Sequence, residues 1–485
     1  MAKRSIKTNA IFNASKQLVS VLFPLILYPY ITRVLGTANF GRYSFAYSIS
    51  EYAMLVAALG IPTYGTREGA KIRDDKGAFS NFASEMLGIN LISLILSLIV
   101  LFVCTLVVPR LQREAVLILI LSVNVIAYGL CRDYIFDAYE DYAVIAIRHI
   151  FFKSAVLVGS LLLVRDSDDL ILFTCIIAGV EALGYVLSTM YGKRYAPYRL
   201  KISSDLKKHM KPILLMFSTT VAVRIYVQLD ITILGFFVSD SEVGIYALAA
   251  KVYSVVKGIL NAAIFVCIPR VTLYLGQGKR QEYNQLLNKV LELLPAALLP
   301  CIVGVFCLST NIMTIMGGAE FVPGASALRL LCVALLFAVM ACFFAQTIMI
   351  PNCKEKKYFM FTVIAAVTNA VLNLVMIPLW GMNAAAITTI IAEVIICVLC
   401  GVTAFKLFDV KQSKSIISVL IGCVAIAAVC VVCVNLLPSV ALQTVVSIAA
   451  SVVVYGVILF VMKHPAAAIA IGMLRSVVAK ITRRK

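Results

Sequence analysis

The chain has 485 residues, of which 62% are hydrophobic and only 14% are charged, and its mean hydropathy is +0.98. This is more apolar surface than a soluble core of this length can bury, so the composition excludes an ordinary soluble protein and indicates an integral membrane protein. The formal net charge of +19 is the excess that positively charged cytoplasmic loops give a membrane protein, so no binding to nucleic acid is expected.

Fourteen apolar segments, each about as long as the 20 residues that cross a bilayer, follow one another along the chain. They cover residues 11–34, 41–65, 83–108, 115–137, 142–164, 169–191, 212–238, 245–270, 290–310, 325–350, 358–378, 382–406, 415–436 and 439–462. The basic N-terminus leads directly into the first segment and is interpreted as part of a span, not as a signal peptide. The predicted fold class is therefore an all-α polytopic membrane protein with 14 transmembrane helices.

Lysine and arginine collect in alternate loops, which predicts the orientation of the chain. The basic loops lie at residues 3–7, 67–76, 193–211, 270–289, 354–357 and 406–414, followed by a basic tail after residue 463. The intervening loops hold mainly acidic residues, such as Asp166, Asp168 and Glu242. Both termini are therefore expected in the cytoplasm, and the protein is expected in a bacterial cytoplasmic (inner) membrane.

Part of the sequence recurs, which predicts an internal repeat. Leu35-Gly36 and residues 40–46 resemble Leu234-Gly235 and residues 243–249, and each copy lies between the first two spans of a six-span set. Chance similarity of glycine-rich turns is the alternative. Two parallel, pseudo-symmetric lobes are expected. The predicted organisation is an N-terminal lobe (1–200, spans 1–6), a C-terminal lobe (201–410, spans 7–12), spans 13–14 (411–464) and a basic amphipathic cytoplasmic tail (465–485).

Six charged side chains are predicted about 15–18 Å into a hydrocarbon core about 30 Å thick, from a helix rise of 1.5 Å per residue. They are Arg224, Lys257, Lys153, Glu51, Glu181 and Glu393. Each costs roughly 2.5–3.5 kcal/mol at mid-membrane, so these residues require pairing, a water-filled cavity or a function.

Arg224 and Lys257 fall at one depth on consecutive spans, where two cations repel each other unless an anion joins them. They are interpreted as a clamp for pyrophosphate. The alternative is that Glu393 or a backbone carbonyl satisfies each cation separately.

The other charges have similar pairs of interpretations. Lys153 is either a third substrate contact or the structural partner of Glu51 or Glu181. Asp230 lies nearer the outer boundary, where it either forms an ion pair with Lys251 or takes part in ion coupling together with the three glutamates. Charged residues close to the interfaces are interpreted as snorkelling; they are Arg33, Arg42, Arg132, Asp133 and Arg148.

The sequence predicts no catalytic residue, cofactor or metal site. The 14 cysteines lie almost entirely in apolar runs and are interpreted as small hydrophobic residues, including the C-x-x-C of Cys430 and Cys433. Three histidines do not favour a histidine-based metal site, and residues 276–280 lack the spacing of a phosphate-binding loop.

Residues 29–43, PYITRVLGTANFGRY, resemble the turn after the first span of polysaccharide flippases in the multidrug/oligosaccharidyl-lipid/polysaccharide exporter superfamily. Residues 132–153 and 229–251 are also similar, although Tyr134, Asp137 and Ala138 stand where family members often carry Trp and Gly. The resemblance implies a MATE-like fold of two lobes. It also implies a transporter that flips isoprenoid-pyrophosphate-linked oligosaccharides, of the undecaprenyl type, to the outer leaflet by alternating access.

On this interpretation Arg224, Lys257 and Lys153 bind the substrate, and Glu51, Glu181, Glu393 and Asp230 are candidates for coupling to protons or sodium. Membrane lipid, a polysaccharide polymerase and glycosyltransferases are the expected partners. One alternative is an ion-coupled multidrug or metabolite antiporter, whose cavity would be acidic if its substrates are cations. A second alternative is a membrane-embedded polymerase or acyltransferase, which would need a large outward loop or a membrane histidine with a partner.

Overall fold

The computed structural model describes residues 6–201, 206–409, 415–468 and 472; in the helices, the side chains of residues 6–11, 13, 14, 219 and 222–227 are not described. Within these ranges the chain is helical, and no β-strand occurs. The contacts divide it into two compact units, Met1–Ala247 and Leu248–Lys485. The boundary falls inside a helix, so the predicted seventh span packs with the first unit. The lobe boundaries at 200 and 410 stay a prediction.

The helices have the following bounds. The first unit contains α1 (Ile6–Ala58), α2 (Ile61–Ile72), α3 (Lys76–Val107), α4 (Pro109–Gln112), α5 (Ala115–Gly129), α6 (Asp133–Ala138), α7 (Tyr142–Leu163), α8 (Leu170–Gly192) and α9 (Lys207–Phe237), and α10 (Asp240–Phe265) crosses the boundary. The second unit contains α11 (Ile268–Gly276), α12 (Arg280–Cys307), α13 (Ser309–Gly317), α14 (Ala325–Phe343), α15 (Glu355–Ala404), α16 (Ile416–Leu436) and α17 (Val440–Val461), and a π-helix, Phe344–Met349, extends α14.

Eleven helical segments of the described chain are long and apolar enough to cross a membrane. Two of them, Ser15–Ile72 and Glu355–Ala404, have 58 and 50 residues, and at 1.5 Å per residue either exceeds twice the bilayer core. Each contains a glycine with a positive φ, 73° at Gly36 and 55° at Gly381, where the helix is kinked. Glycine adopts this conformation without the strain that a side chain would cause. All fourteen predicted spans lie on helices, and the many-span helical class is confirmed; the count of fourteen stays a prediction.

The repeated glycines of the two predicted copies contact each other inside the first unit. A Cβ atom on Gly41 would overlap the carbonyl oxygen of Asp240, and one on Gly244 would overlap the carbonyl oxygen of Thr37. The start of α10 and the second half of α1 therefore touch backbone to backbone. The sequence shows the two motifs as similar, and the structure shows that they are also neighbours.

An aromatic and aliphatic core fills the end of the first unit where the loops are basic, and Phe79, Met86, Tyr134 and Ile135 are buried in it. The segment after α8 packs on this core, where the Tyr198 hydroxyl donates to the carbonyl of Thr189 at 2.6 Å. Burial raises the pKa of the Tyr198 phenol to about 12, so the hydroxyl stays protonated at neutral pH.

The second unit is built from helix pairs. The helix α14 packs along α15, and α16 packs along α17 and against α12. The predicted spans 13 and 14 are thus attached to the second unit through α12, where the Tyr455 hydroxyl donates to the carbonyl of Ala296 at 2.8 Å. Of the predicted amphipathic tail, residues 465–468 are helical, and the remainder except residue 472 lies outside the described residues.

Candidate functional site

The first unit contains a polar cluster inside its membrane-spanning helices. Lys153 on α7 and Glu181 on α8 form an ion pair with 2.5 Å between Nζ and Oε1. The side-chain amide of Asn124 on α5 donates to the other oxygen of Glu181 at 3.0 Å. Both oxygens of this carboxylate are therefore occupied, as a charge inside a bilayer requires. Of the two partners predicted for Lys153, the structure selects Glu181.

Glu51 on α1 lies in the same region and accepts a hydrogen bond from the side-chain amide of Gln228 on α9. Glu51 and Glu181 line one cavity of about 180 Å³, together with the rings of Tyr47, Tyr128 and Tyr185. Two carboxylates and three phenols around a small cavity provide only oxygen ligands at their polar ends. Such a set can hold a proton or a small monovalent cation.

The second unit contains a comparable pair. Lys257 on α10 and Glu393 on α15 lie 2.7 Å apart, and the hydroxyl of Tyr253 donates to the same Glu393 oxygen at 3.2 Å. Only 3% of Glu393 is exposed, and the ammonium of Lys257 stacks over the Tyr253 ring at 5.4 Å. This is the contact that the structural alternative predicts for Lys257. The pair also holds a cation and a titratable carboxylate together within the membrane-spanning part of the chain.

The remaining two predicted site residues are Arg224 and Asp230. Arg224 belongs to α9, but its side chain lies outside the described residues, so the clamp with Lys257 remains a hypothesis. Asp230, also on α9, is 8% exposed and accepts a hydrogen bond from the Tyr246 hydroxyl at 2.7 Å.

One interpretation of the interfacial charges is wrong. Arg132 does not snorkel, because none of its surface is exposed and its Nη1 donates to the Asn90 side-chain oxygen at 2.5 Å. Arg148 pairs with both oxygens of Asp133 at 2.6 Å, which is the bidentate geometry of a strong charge-assisted contact. Depth along a helix does not indicate which way a side chain points, so snorkelling could not be distinguished from pairing.

The structure also shows two ionic clusters that sequence reasoning missed. At the end with acidic loops, Glu114 is 2% exposed and pairs with Arg42 and Arg110, and Arg110 also contacts Asp240. An acidic residue only four positions after Arg110 was the available signal.

At the basic end, Glu85 is 5% exposed and contacts the ring nitrogen Nε2 of His209 at 2.8 Å. The Tyr64 hydroxyl contacts Nδ1 of the same ring at 2.7 Å. The ammonium groups of Lys208 and Lys201 lie 3.1 and 3.4 Å from the Glu85 carboxylate. We call Tyr64, Glu85 and His209 the buried triad. No local pattern marks it, because its members come from α2, α3 and α9.

Comparisons of the sequence show its family and its relatives. Residues 6–274, more than half of the chain, match the family described as "Polysaccharide biosynthesis protein". The chain is 24% identical over 285 residues to a putative O-antigen transporter of Escherichia coli K12, covering 57% of this chain and 68% of that protein. It is 23% identical over 227 residues to a probable low-salt glycan biosynthesis flippase of Haloferax volcanii, covering 45% and 48% of the two chains.

Solved structures with low sequence identity share the fold. The lipid II flippase MurJ in an inward closed conformation superposes with a TM-score of 0.72 at 16% identity, over 94% of this chain and 98% of that one. An inward-facing multidrug resistance MATE family transporter of the MOP superfamily gives a TM-score of 0.58 at 11% identity, over 82% and 97% of the two chains. The predicted MATE-like architecture is confirmed.

Proposed function

Because this chain belongs to the polysaccharide biosynthesis protein family, we propose that it is a flippase for lipid-linked oligosaccharides. Its substrate is an oligosaccharide unit on an undecaprenyl-pyrophosphate type lipid, which it moves from the cytoplasmic to the outer leaflet of a bacterial cytoplasmic membrane. The family, the flippases and transporter among its relatives, and the many-span helical fold support this proposal. A transporter needs no catalytic group, and none is proposed.

The observation that carries the mechanism is the ion pair between Lys257 and Glu393. A pyrophosphate head group and the Glu393 carboxylate are both anions, so they compete for the same ammonium group. Neutralising Glu393 with a proton removes its attraction for Lys257 and frees the ammonium for the phosphates. Binding of the substrate is thereby coupled to the uptake of a proton by Glu393. Arg224 is proposed as the second cation of the clamp.

The pair of Lys153 and Glu181 repeats this arrangement in the first unit. Its cavity also contains Glu51, which gives a small cation a second carboxylate. A cation bound between Glu51 and Glu181 weakens the hold of Glu181 on Lys153. Lys153 then serves as a third contact for the substrate. Asp230, hydrogen-bonded to Tyr246, is kept as a further coupling candidate.

The carboxylate-lined cavity is also the feature that favours the second candidate, an ion-coupled multidrug or metabolite antiporter. That protein would bind cationic compounds at Glu51 and Glu181 directly. A flippase that works in polysaccharide export also has functional partners. Glycosyltransferases supply its substrate, and a polymerase consumes its product. Deletion of the gene separates the two candidates: accumulation of lipid-linked glycan supports the flippase, and drug sensitivity with normal glycan supports the antiporter.

The mechanism is tested by replacing both residues of the ion pair between Lys257 and Glu393. Lys257→Gln together with Glu393→Gln removes both charges at nearly constant size and strands neither one, so abundance in the membrane should stay normal. Export should fall about ten- to a hundredfold, the effect of losing one charge-assisted contact. Arg224→Gln should act in the same direction, and Arg224→Lys should recover part of the loss because it keeps the charge without the planar fork.

The matched control is the pair of the exposed Lys71 and the half-buried Glu68 on α2, with 2.8 Å between the charged atoms. Replacing both by Gln should leave export unchanged. Membrane abundance and the amount of lipid-linked glycan are measured in the same cells. Normal export with the double variant and with Arg224→Gln would end the clamp hypothesis.

A further inference from the structure

A groove opens on the surface of the second unit between α12, α14 and α16. Its volume is about 290 Å³, and it is lined by apolar side chains and two polar ones: Phe306, Cys307, Arg329, Cys430, Val431, Val434 and Asn435. The side chains of Phe306 and Val431 are 44% and 56% exposed. In a membrane protein such apolar surface faces lipid chains and not water. The groove is therefore accessible from the bilayer.

Arg329 is the charged residue of this groove. Its Nη2 donates to the hydroxyl of Thr310 at 3.1 Å, which fixes the position of the guanidinium. Across the described ranges it forms no salt bridge with a carboxylate. A guanidinium has five N–H donors and cannot be deprotonated in a protein. A permanent cation beside apolar, lipid-facing side chains thus has capacity for an anionic partner.

The depth of these residues fits a lipid head group. Arg329 lies four residues after the start of α14 at Ala325, and Asn435 lies one residue before the end of α16 at Leu436. Cys307 is the last residue of α12. Through α13 the chain joins the end of α12 to the start of α14, and the end of α16 lines the same groove, so these three helix ends lie on one side of the unit. The distribution of lysine and arginine predicts that this side is the outer one. Val431 lies about 8 Å deeper than the end of α16.

We propose that this groove is a binding site for an anionic glycerophospholipid. The phosphate binds the guanidinium of Arg329, whose planar fork matches two phosphate oxygens. The amide of Asn435 lies at the level of the head group, and one acyl chain runs inward along Phe306, Val434 and Val431. The apolar lining selects a lipid over inorganic phosphate, because only the lipid covers these side chains. This site is independent of the transported substrate.

The test uses fluorescence quenching in nanodiscs of stated lipid composition. Trp380 is the single tryptophan of the chain, so a Trp380→Phe, Phe306→Trp protein reports only on the groove. Dibrominated phosphatidylglycerol, mixed into unlabelled phosphatidylcholine, should quench this tryptophan at a lower mole fraction than dibrominated phosphatidylcholine does. Adding Arg329→Gln should reduce this preference about tenfold, as expected for one charge-assisted contact. Arg329→Lys should keep part of it because the charge remains.

Arg165→Gln is the matched control, since Arg165 is an exposed arginine at the same predicted side but in the first unit. It should leave the preference unchanged. Equal quenching by the two lipids, or a preference that survives Arg329→Gln, would overturn the proposal. Loss of the preference in 10 mM inorganic phosphate, at constant ionic strength, would assign Arg329 to free phosphate instead and would also overturn it. Native mass spectrometry tests the proposal without the introduced tryptophan. It compares the number of phosphatidylglycerol molecules retained by the unaltered chain and by Arg329→Gln, and the variant should retain fewer.

Discussion

Two ion pairs inside the described membrane-spanning helices join partners from different helices. Lys153 pairs with Glu181 across α7 and α8, and Lys257 pairs with Glu393 across α10 and α15. An isolated charge at this depth would cost several kcal/mol, and pairing recovers much of that cost. Each pair nevertheless keeps a titratable carboxylate next to a cation. A proton on the carboxylate would change what the cation can bind, and the proposed coupling depends on this change.

The buried triad provides a prediction for single residues. With Nε2 protonated, the His209 ring donates to Glu85 and accepts from the Tyr64 hydroxyl, so it satisfies two buried groups at once. His209→Ala leaves both without this partner and should destabilise the protein by about 1–3 kcal/mol. Thermal unfolding in detergent measures the loss. Lys207→Ala, an exposed position on the same helix, is the control, and equal midpoints for the two variants would refute the structural role of the triad.

At the scale of helices, glycine decides where the elements turn and how closely they approach. The turns at Gly36 and Gly381 divide two very long helices, and both positions have a positive φ. The contact of Gly41 with Asp240 and of Gly244 with Thr37 brings the starts of the two repeated motifs together. The glycine that residues 40–46 and 243–249 share is then explained by one physical requirement, the absence of a side chain at a backbone contact.

This contact predicts the effect of adding one methyl group. Gly41→Ala and Gly244→Ala should each force the helices apart, and overpacking of this kind costs typically 1–3 kcal/mol. Membrane abundance and the unfolding temperature should fall for both. Gly258→Ala is the matched control on α10, because no atom lies within 4 Å of a Cβ built there; it should be neutral or slightly stabilising. Wild-type stability of Gly244→Ala would show that the two backbones do not touch.

At the scale of the whole molecule, the predicted orientation is a testable property. Tags in residues 71–78, in residues 352–357 and at the C-terminus should report the cytoplasm, because these segments belong to the basic set of loops. Tags near residues 166–169 and 240–242 should report the outside. A reporter that is active on only one side of the membrane makes the measurement. A cytoplasmic signal at residues 166–169 would contradict the predicted orientation, because it would require an even number of spans before these residues.

The sequence by itself determined the membrane class, the apolar segments, all of which lie on helices, and the charged residues within them. These properties depend on composition along a continuous stretch, because one helix satisfies its own backbone hydrogen bonds and its apolar length is set by the bilayer. The family resemblance at residues 29–43 is likewise a property of one short segment.

Only the tertiary structure decided which charges are partners. Depth placed Lys153 near both Glu51 and Glu181, but the direction in which α7 and α8 face each other selected Glu181. The same holds for Lys257 with Glu393, for the full burial of Arg132 and for the buried triad, whose members are far apart in sequence. A pattern along one helix fixes how deep a side chain lies, whereas its neighbour depends on how that helix is rotated against the others.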